Sequence, residues 1–382
     1  MALRAVAEVN LAAIERNAAR LCARIGAHVR LCAVVKADGY GHGAVPSARA
    51  ALRGGAVELA VATAAEAGEL RRAGLSEPIL VLGAISAEEL PDAVMAGAEL
   101  TVWDPAFVST LRSQARARQT RIGVHVKLDS GLGRLGTRDA RQALELVREV
   151  VASPELHLSG VMTHLATADG DLVFASQQLD LFDTFEAEAR ALASTDITAH
   201  AANSAATLRL DRSHFDMVRA GIALYGGDPM NRDPADHQLE PALTLRTYVA
   251  ALKPIAVGES TGYGRRFISQ RESVIATIPI GYGDGLVRAL ANNCDVLIGG
   301  RRYPLCGMVS MDNITVDVGP EPPLRVGDPV TLIGVDGAER QTAEDLAQRI
   351  GTISYEAFCL ISKRVPRLHH RDGVPVDGAH GG

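Results

Sequence analysis

Only four of the 382 residues are lysines, and one of them, Lys36, closes an apolar run. Leu31-Cys32-Ala33-Val34-Val35 is five apolar or small residues in a row, the pattern of a strand buried on both faces. Behind Lys36, Ala37-Asp38-Gly39-Tyr40-Gly41-His42-Gly43 places three glycines in seven residues, so the backbone turns sharply there. An ammonium at the end of a buried strand is costly to desolvate, which lowers its pKa. A lysine with a lowered pKa is what Schiff-base formation with an aldehyde requires. The plainer reading is a lysine that snorkels out of a strand end, and the local pattern leaves both open.

Further candidates lie downstream. Arg219 sits inside Met217-Val218-Arg219-Ala220-Gly221-Ile222, and a buried guanidinium must be paired because it cannot shed its proton. An ion pair with Asp216 would serve. A phosphate is held by backbone N–H groups and hydroxyls at strand ends. Asn203-Ser204 and Gly221-Ile222 offer both, Gly221 permitting close backbone approach, although Ser204 also reads as a plain helix N-cap. Lys127 precedes Arg134 by seven residues in Lys127-Leu128-Asp129-Ser130-Gly131-Leu132-Gly133-Arg134, and His164 stands in Thr163-His164-Leu165-Ala166-Thr167-Ala168-Asp169.

These residues need elements to position them. Asn10 reads as an N-cap, Leu11, Ile14, Ala18, Leu21 and Ile25 recur at helical spacing, and Gly26 stops the helix. Strand-like runs follow at 29–36, 57–62, 79–82, 100–103, 122–129, 157–164, 197–202 and 217–225. Amphipathic segments such as 138–151 and 174–192 separate them. This predicts an α/β chain with an N-terminal (β/α)8 barrel over residues 11–238, with Lys36, Asp129, His164, Ser204 and Arg219 near carboxyl ends of strands. A doubly wound sheet is the alternative, although no Gly-x-Gly-x-x-Gly follows the first strand. An Asp- and Pro-rich stretch at 228–238 reads as a linker. From 239 to 370 short strands dominate (243–252, 273–280, 295–298, 314–318, 329–333), broken by a helix at 342–350. That predicts a mainly β second domain, joined by the strand at 1–10. Residues 371–382 read as a disordered tail.

Composition narrows the function classes. A net charge of −6 and scattered arginines argue against a nucleic-acid groove. Five cysteines without a Cys-x-x-Cys read as reduced thiols, not disulfides or a metal site, and no metal is expected. Neither a signal-length apolar core nor a membrane-length run is visible, which predicts a cytoplasmic protein without membrane contact.

Val34-Val35-Lys36-Ala37-Asp38-Gly39-Tyr40-Gly41-His42-Gly43 resembles the pyridoxal phosphate (PLP) attachment motif of alanine racemases, and further motifs recur in that family's order to residue 360. The resemblance implies a PLP-dependent isomerase that interconverts L- and D-alanine for peptidoglycan by a two-base mechanism. Lys36 would be one base and Tyr263, borrowed from the other subunit of a homodimer, the second. Alone, Gly262-Tyr263-Gly264 reads equally as an aromatic in a tight turn. By the same resemblance Tyr40, Ser204, Gly221, Ile222 and Tyr355 hold the cofactor phosphate, and Arg219 faces the pyridine nitrogen. His164 links Arg219 to the catalytic tyrosine. Arg134 orients cofactor and substrate carboxylate beside a carbamylated Lys127, and Met311, Tyr282 and Asp312 line the substrate route. An arginine at the ring nitrogen disfavours ring protonation and so suppresses transamination. Three positions depart from the family pattern: Gly283 for alanine, Met308 for arginine and Ser354 for proline. Alternatives are a broader racemase acting on serine, a related decarboxylase, and a non-enzymatic PLP-binding regulatory protein. The regulatory protein would lack the β domain.

Overall fold

A computed structural model describes residues 3–193 and 195–376. Contacts divide the chain into two units. One runs from Ile14 to Leu224; the other joins the residues up to Ala13 to those from Tyr225 onward.

The first strand, β1 (Val6–Asn10), belongs to the second unit. Asn10 ends it and turns the chain into the helix Leu11–Ile25, its Oδ1 accepting from Ala12 N at 3.1 Å. Gly26, at φ 78°, stops that helix.

Eight strands make up the first unit: β2 (Arg30–Val34), β3 (Glu58–Val61), β4 (Ile79–Val81), β5 (Glu99–Val102), β6 (Ile122–Lys127), β7 (Leu156–Met162), β8 (Thr198–His200) and β9 (Met217–Ala220). All seven pairings are parallel, in the order β8-β7-β6-β5-β4-β3-β2-β9. The seam between β8 and β9 is bridged by Asp216 N to Ala199 O (3.1 Å) and Arg219 N to Ala202 O (3.0 Å), so the ring is nearly closed. That closure excludes the doubly wound sheet. Every residue of β3, β4 and β9 is buried, as a sheet covered on both faces demands. Helices between the strands begin on side-chain caps, for example Asp139 for Ala140–Ala152 and Asp171 for Leu172–Leu192.

The last predicted barrel strand was too long. β9 stops at Ala220 and Ile222–Tyr225 is a 3-10 turn, because Gly221 N leaves the ladder to bond Ser204 Oγ at 2.9 Å.

The second unit is mainly β. Its further strands are β10 (Leu243–Tyr248), β11 (Ala251–Ile255), β12 (Ser260–Thr261), β13 (Phe267–Ile268), β14 (Ser273–Ile278), β15 (Asp295–Ile298), β16 (Arg301–Pro304), β17 (Ile314–Gly319), β18 (Pro329–Asp336), β19 (Glu339–Gln341), β20 (Arg367–Arg371) and β21 (Val374–Pro375). The main sheet runs β16-β15-β18-β10-β1-β20-β21, β19 joining β18, while β11-β14-β17 form a second sheet and β12-β13 a hairpin. β1 lies between β10 and β20, so the N-terminal strand completes this unit. A helix, Ala343–Arg349, opens on a Thr342–Asp345 capping box.

Two stretches differ from the sequence reading. Contacts break at Leu224/Tyr225, ahead of the Asp- and Pro-rich stretch at 228–238, because that stretch is pinned within the β unit: Asp228 is buried and its N–H donates to Glu344 Oε1 at 3.0 Å. The tail does not begin at 371. Asp372 and Gly373, at φ 47° and 88°, make the two-residue turn of the β20–β21 hairpin. The remainder of that tail, 377–382, lies outside the described residues. Among the described residues, no helix is long and apolar enough to cross a membrane.

Candidate active site

Lys36 opens a turn that coils against the normal hand. From Ala37 to Gly41 the φ angles are 52°, 53°, 60°, 54° and 79°. Gly39 and Gly41 adopt this freely, but each of the other three pays about 1–2 kcal/mol. The surroundings hold it in place. Gly39 N donates to Val35 O (2.9 Å), Gly41 N to Ala37 O (3.0 Å) and Gly43 N to Asp38 O (2.8 Å). Asp38 Oδ1 accepts from Ala44 N at 2.9 Å, starting the next helix. Glu66 clamps both neighbouring loops: Oε1 accepts from Ala37 N (2.7 Å), Oε2 from Ala62 N (2.7 Å) and Thr63 N (3.1 Å). Strain over-determined in this way marks a position whose direction matters. Lys36 is thereby set, half-buried, just past the carboxyl end of β2.

The turn carries Tyr40 to Gly221. A Cβ on Gly221 would stand 2.3 Å from Tyr40 Oη, so only glycine admits the phenol. Ser204 Oγ is buried beside it and accepts from Gly221 N (2.9 Å) and Ala223 N (3.4 Å). Ser204 is therefore not the N-cap; Asn203 is, its Oδ1 on Ala206 N at 3.0 Å.

Arg219 is buried, and its hydrogen bonds avoid carboxylates. Nη1 donates to His200 Nδ1 (2.6 Å), and Nη2 to Thr163 O (2.9 Å), His164 Nδ1 (3.1 Å) and Ala201 O (3.2 Å). Asp216, the alternative partner, is taken by Arg190 and by Ala199 N. Burial lowers the Arg219 pKa to about 10, which leaves it charged at neutral pH. Because arginine can only donate, both imidazoles present a bare Nδ1 to it. Burial, then the Arg219 charge, also pushes the His164 and His200 pKa values well below the usual imidazole value, so both rings are neutral.

Lys127 ends β6, buried. Burial, then the charges of Arg219 and Arg134, bring its pKa down to about 7. After it, Asp129 accepts from Gly131 N and Gly133 N and folds the exposed loop that carries Arg134.

The sequence reading missed what lies below Arg219. His200 Nε2 meets His125 Nδ1 at 2.8 Å, His125 Nε2 meets Glu99 Oε2 at 2.7 Å, and Ser159 Oγ donates to Glu99 Oε1 at 2.9 Å. Glu58, at the head of β3, approaches the same place: one ligand atom each from Glu58, Glu99 and His125 lie within 4.8 Å of one another. The available signal was polar residues inside otherwise apolar strand runs, such as His125 in Val124-His125-Val126.

The other predicted residues lie in the β unit. Tyr263 is 73% exposed at the tip of the β12–β13 hairpin, behind Gly262 at φ 76°. The Tyr282 turn is laid against the Met311 segment by Tyr282 N to Ser310 O and Gly283 N to Met311 O, both 2.9 Å. Buried Asp284 fastens that turn, accepting from Gly281 N (2.9 Å) and from Arg4. Arg364 crosses it to Asp312 (2.7 Å), and a Cβ on Gly283 would come within 2.4 Å of that guanidinium. The alanine-to-glycine departure thus makes room for Arg364. Tyr355 is half-buried on the helix Ser354–Cys359.

Comparison with known proteins gives a consistent answer. The family described as alanine racemase, N-terminal domain, matches residues 9–229, and alanine racemase, C-terminal domain, matches 242–369. The chain belongs to the alanine racemase family. The alanine racemase of Symbiobacterium thermophilum is 43% identical over 365 residues, covering 95% of this chain and 96% of that protein. Among solved structures, the alanine racemase of D-cycloserine-producing Streptomyces lavendulae has a TM-score of 0.93 at 36% identity, with 100% of each chain covered. The Bacillus anthracis alanine racemase, solved with bound L-Ala-P, has a TM-score of 0.90 at 36% identity, covering 99% and 97% of the two chains. Similarity to other alanine racemases therefore spans both units.

Proposed function

We propose that this protein is a PLP-dependent racemase that interconverts L- and D-alanine, with sites shared between two copies of the chain. The carrying observation is Arg219: a buried cation beside the lysine-bearing turn, whose partners are imidazoles and carbonyls. The residues present fit PLP. Ser204, the backbone at Gly221 and Ile222, Tyr40 and Tyr355 would hold its phosphate, Lys36 its aldehyde carbon and Arg219 its ring nitrogen. When bound, the cofactor supplies an electron-withdrawing ring that acidifies the Cα–H of an amino acid.

The chain's own residues account for the rest. Arg219 has no proton to give at neutral pH, so facing the ring nitrogen it would leave that atom unprotonated and favour return of the proton to Cα over transamination. Racemisation needs a proton carrier on each face of Cα. Lys36 Nζ serves the proton of the D-isomer and Tyr263 Oη, from a second copy, that of the L-isomer. The exposure of Tyr263 within its own chain supports this sharing. His164, neutral with its proton on Nε2, is prepared to donate toward that tyrosine. Arg134 would orient the substrate carboxylate with the Met311 amide, and Tyr282 and Asp312 would line the approach. Lys127, with a pKa near 7, holds enough free amine to take up CO2; as a carbamate anion it would pair with Arg134 instead of repelling it.

Racemisation of L- and D-alanine by the purified protein, with serine alongside, is the direct test. Lys36→Ala should abolish turnover and the absorbance of lysine-bound cofactor. Tyr263→Phe should slow proton removal from L-alanine far more than from D-alanine. Serine turned over as fast as alanine would make this a broader small-amino-acid racemase. Supply of D-alanine for peptidoglycan is the corresponding role.

A further inference from the structure

The donor–acceptor logic continues past His200. His200 Nδ1 must accept from Arg219, so its proton is on Nε2 and points at His125 Nδ1, which in turn must accept. That leaves the His125 proton on Nε2, directed at Glu99 Oε2, where the chain of bonds ends on a carboxylate. The direction is constrained from both ends, by a guanidinium that can only donate and a carboxylate that can only accept. The path crosses the barrel interior: Arg219 lies on β9, His200 at the end of β8, His125 within β6 and Glu99 at the opposite, amino-terminal end of β5. His125 is 2% exposed at its side chain and Glu99 30%, so only the last member reaches solvent.

We propose that Glu99 is a positioning residue for Arg219: a carboxylate anchor that, through His125 and His200, holds both rings in the Nε2–H form and keeps a bare Nδ1 under the guanidinium. An ionised carboxylate can only accept, so it admits one direction of the relay. A neutral amide at the same place could also donate, allowing both rings to reverse and setting His200 Nδ1–H against Arg219 N–H. Burial works against the Glu99 charge, but its bonds from His125 and Ser159 outweigh that and hold its pKa below the usual value. Other groups acting on the relay are Glu58, Arg30, His157, Cys32 and Lys127. Glu58 shares the cluster with Glu99 and His125 but donates and accepts no bond in the relay, which makes it the control.

The inference rests on the proposed function only for its kinetic arm. The holoenzyme is labelled with 15N-histidine, and the ring nitrogens of His125 and His200 are assigned by single substitutions. In the unaltered protein both rings should show Nε2 protonated and Nδ1 bare; a proton on His200 Nδ1 would overturn the relay. Glu99→Gln should add a second His200 population with Nδ1 protonated and lower kcat about tenfold, KM changing less than about twofold. Glu58→Gln should leave the His200 signals and kcat unchanged; an equal effect would mean that net charge, not the relay, is felt. A chelator should shift nothing, whereas a shift would reveal a cation on Glu58, Glu99 and His125 in place of the relay. Predicted tautomers in a protein that does not racemise alanine would sink the activity and leave the relay standing.

Discussion

Lys127 and Gly221 carry the sharpest single-residue consequences. The folded protein releases the Lys127 proton near pH 7, but the unfolded chain keeps it to about pH 10.5. Between those values the unfolded state binds the extra proton, so stability rises with pH across that window, and it is lost progressively as pH falls from about 10.5 to about 7. In CO2-free buffer the urea midpoint should therefore climb from pH 7 to 9, and the climb should shrink in Lys127→Met. Equal slopes would remove the buried amine from the account. At Gly221 the cost is steric. Gly221→Ala would place a methyl 2.3 Å from Tyr40 Oη, displacing the phenol from the proposed phosphate cradle. Cofactor affinity should fall about tenfold or more at little cost in thermal stability, as read by titrating apoprotein with pyridoxal phosphate.

At the scale of elements, the left-handed turn after β2 is the feature most exposed to loss of its supports. Glu66 receives three backbone N–H groups from two loops, and no other side chain among the described residues does the same for Ala37 N. Glu66→Ala should cost about 2 kcal/mol in urea unfolding, the scale of hydrogen bonds to a charged acceptor, and should lower kcat by letting Lys36 wander. Glu66→Gln keeps one accepting oxygen but sets its NH2 against the remaining backbone N–H donors, so it should lose part of both. If kcat in Glu66→Ala matched the parent at saturating substrate, the turn would not be what aims the lysine. The same reasoning explains why the turn survives three non-glycine residues at positive φ: local hydrogen bonding outweighs a strain that the sequence alone would make unfavourable.

At the scale of the whole molecule, the exposed Tyr263 hairpin and the lysine turn lie in different units of one chain. A shared-site dimer makes a quantitative demand. Mixing unfolded Lys36→Ala and Tyr263→Phe chains and refolding them together should restore up to about a quarter of the parental activity. Half the dimers would be mixed, each with one intact site of two. Activity no higher than that of either variant alone would refute the sharing.

Much of this protein is legible in its sequence because the relevant physics is local. Eight apolar runs alternating with amphipathic segments require a parallel sheet covered on both faces, and the glycines around Lys36 and Gly221 announce tight backbone at the strand ends. The left-handed hand of the Lys36 turn is not legible, since no residue there requires it and part of its support comes from Glu66, on the next strand's loop. The Asp-Gly turn at 372–373 reads as part of a tail, because the short hairpin it closes is anchored only through β20 pairing with β1, at the other end of the chain. The Arg219–His200–His125–Glu99 relay depends wholly on barrel closure. Its members come from four strands, 219 back to 99, and meet only because a ring of parallel strands points alternate side chains inward. Sequence fixes which groups can donate or accept; only the closed barrel decides which of them face one another.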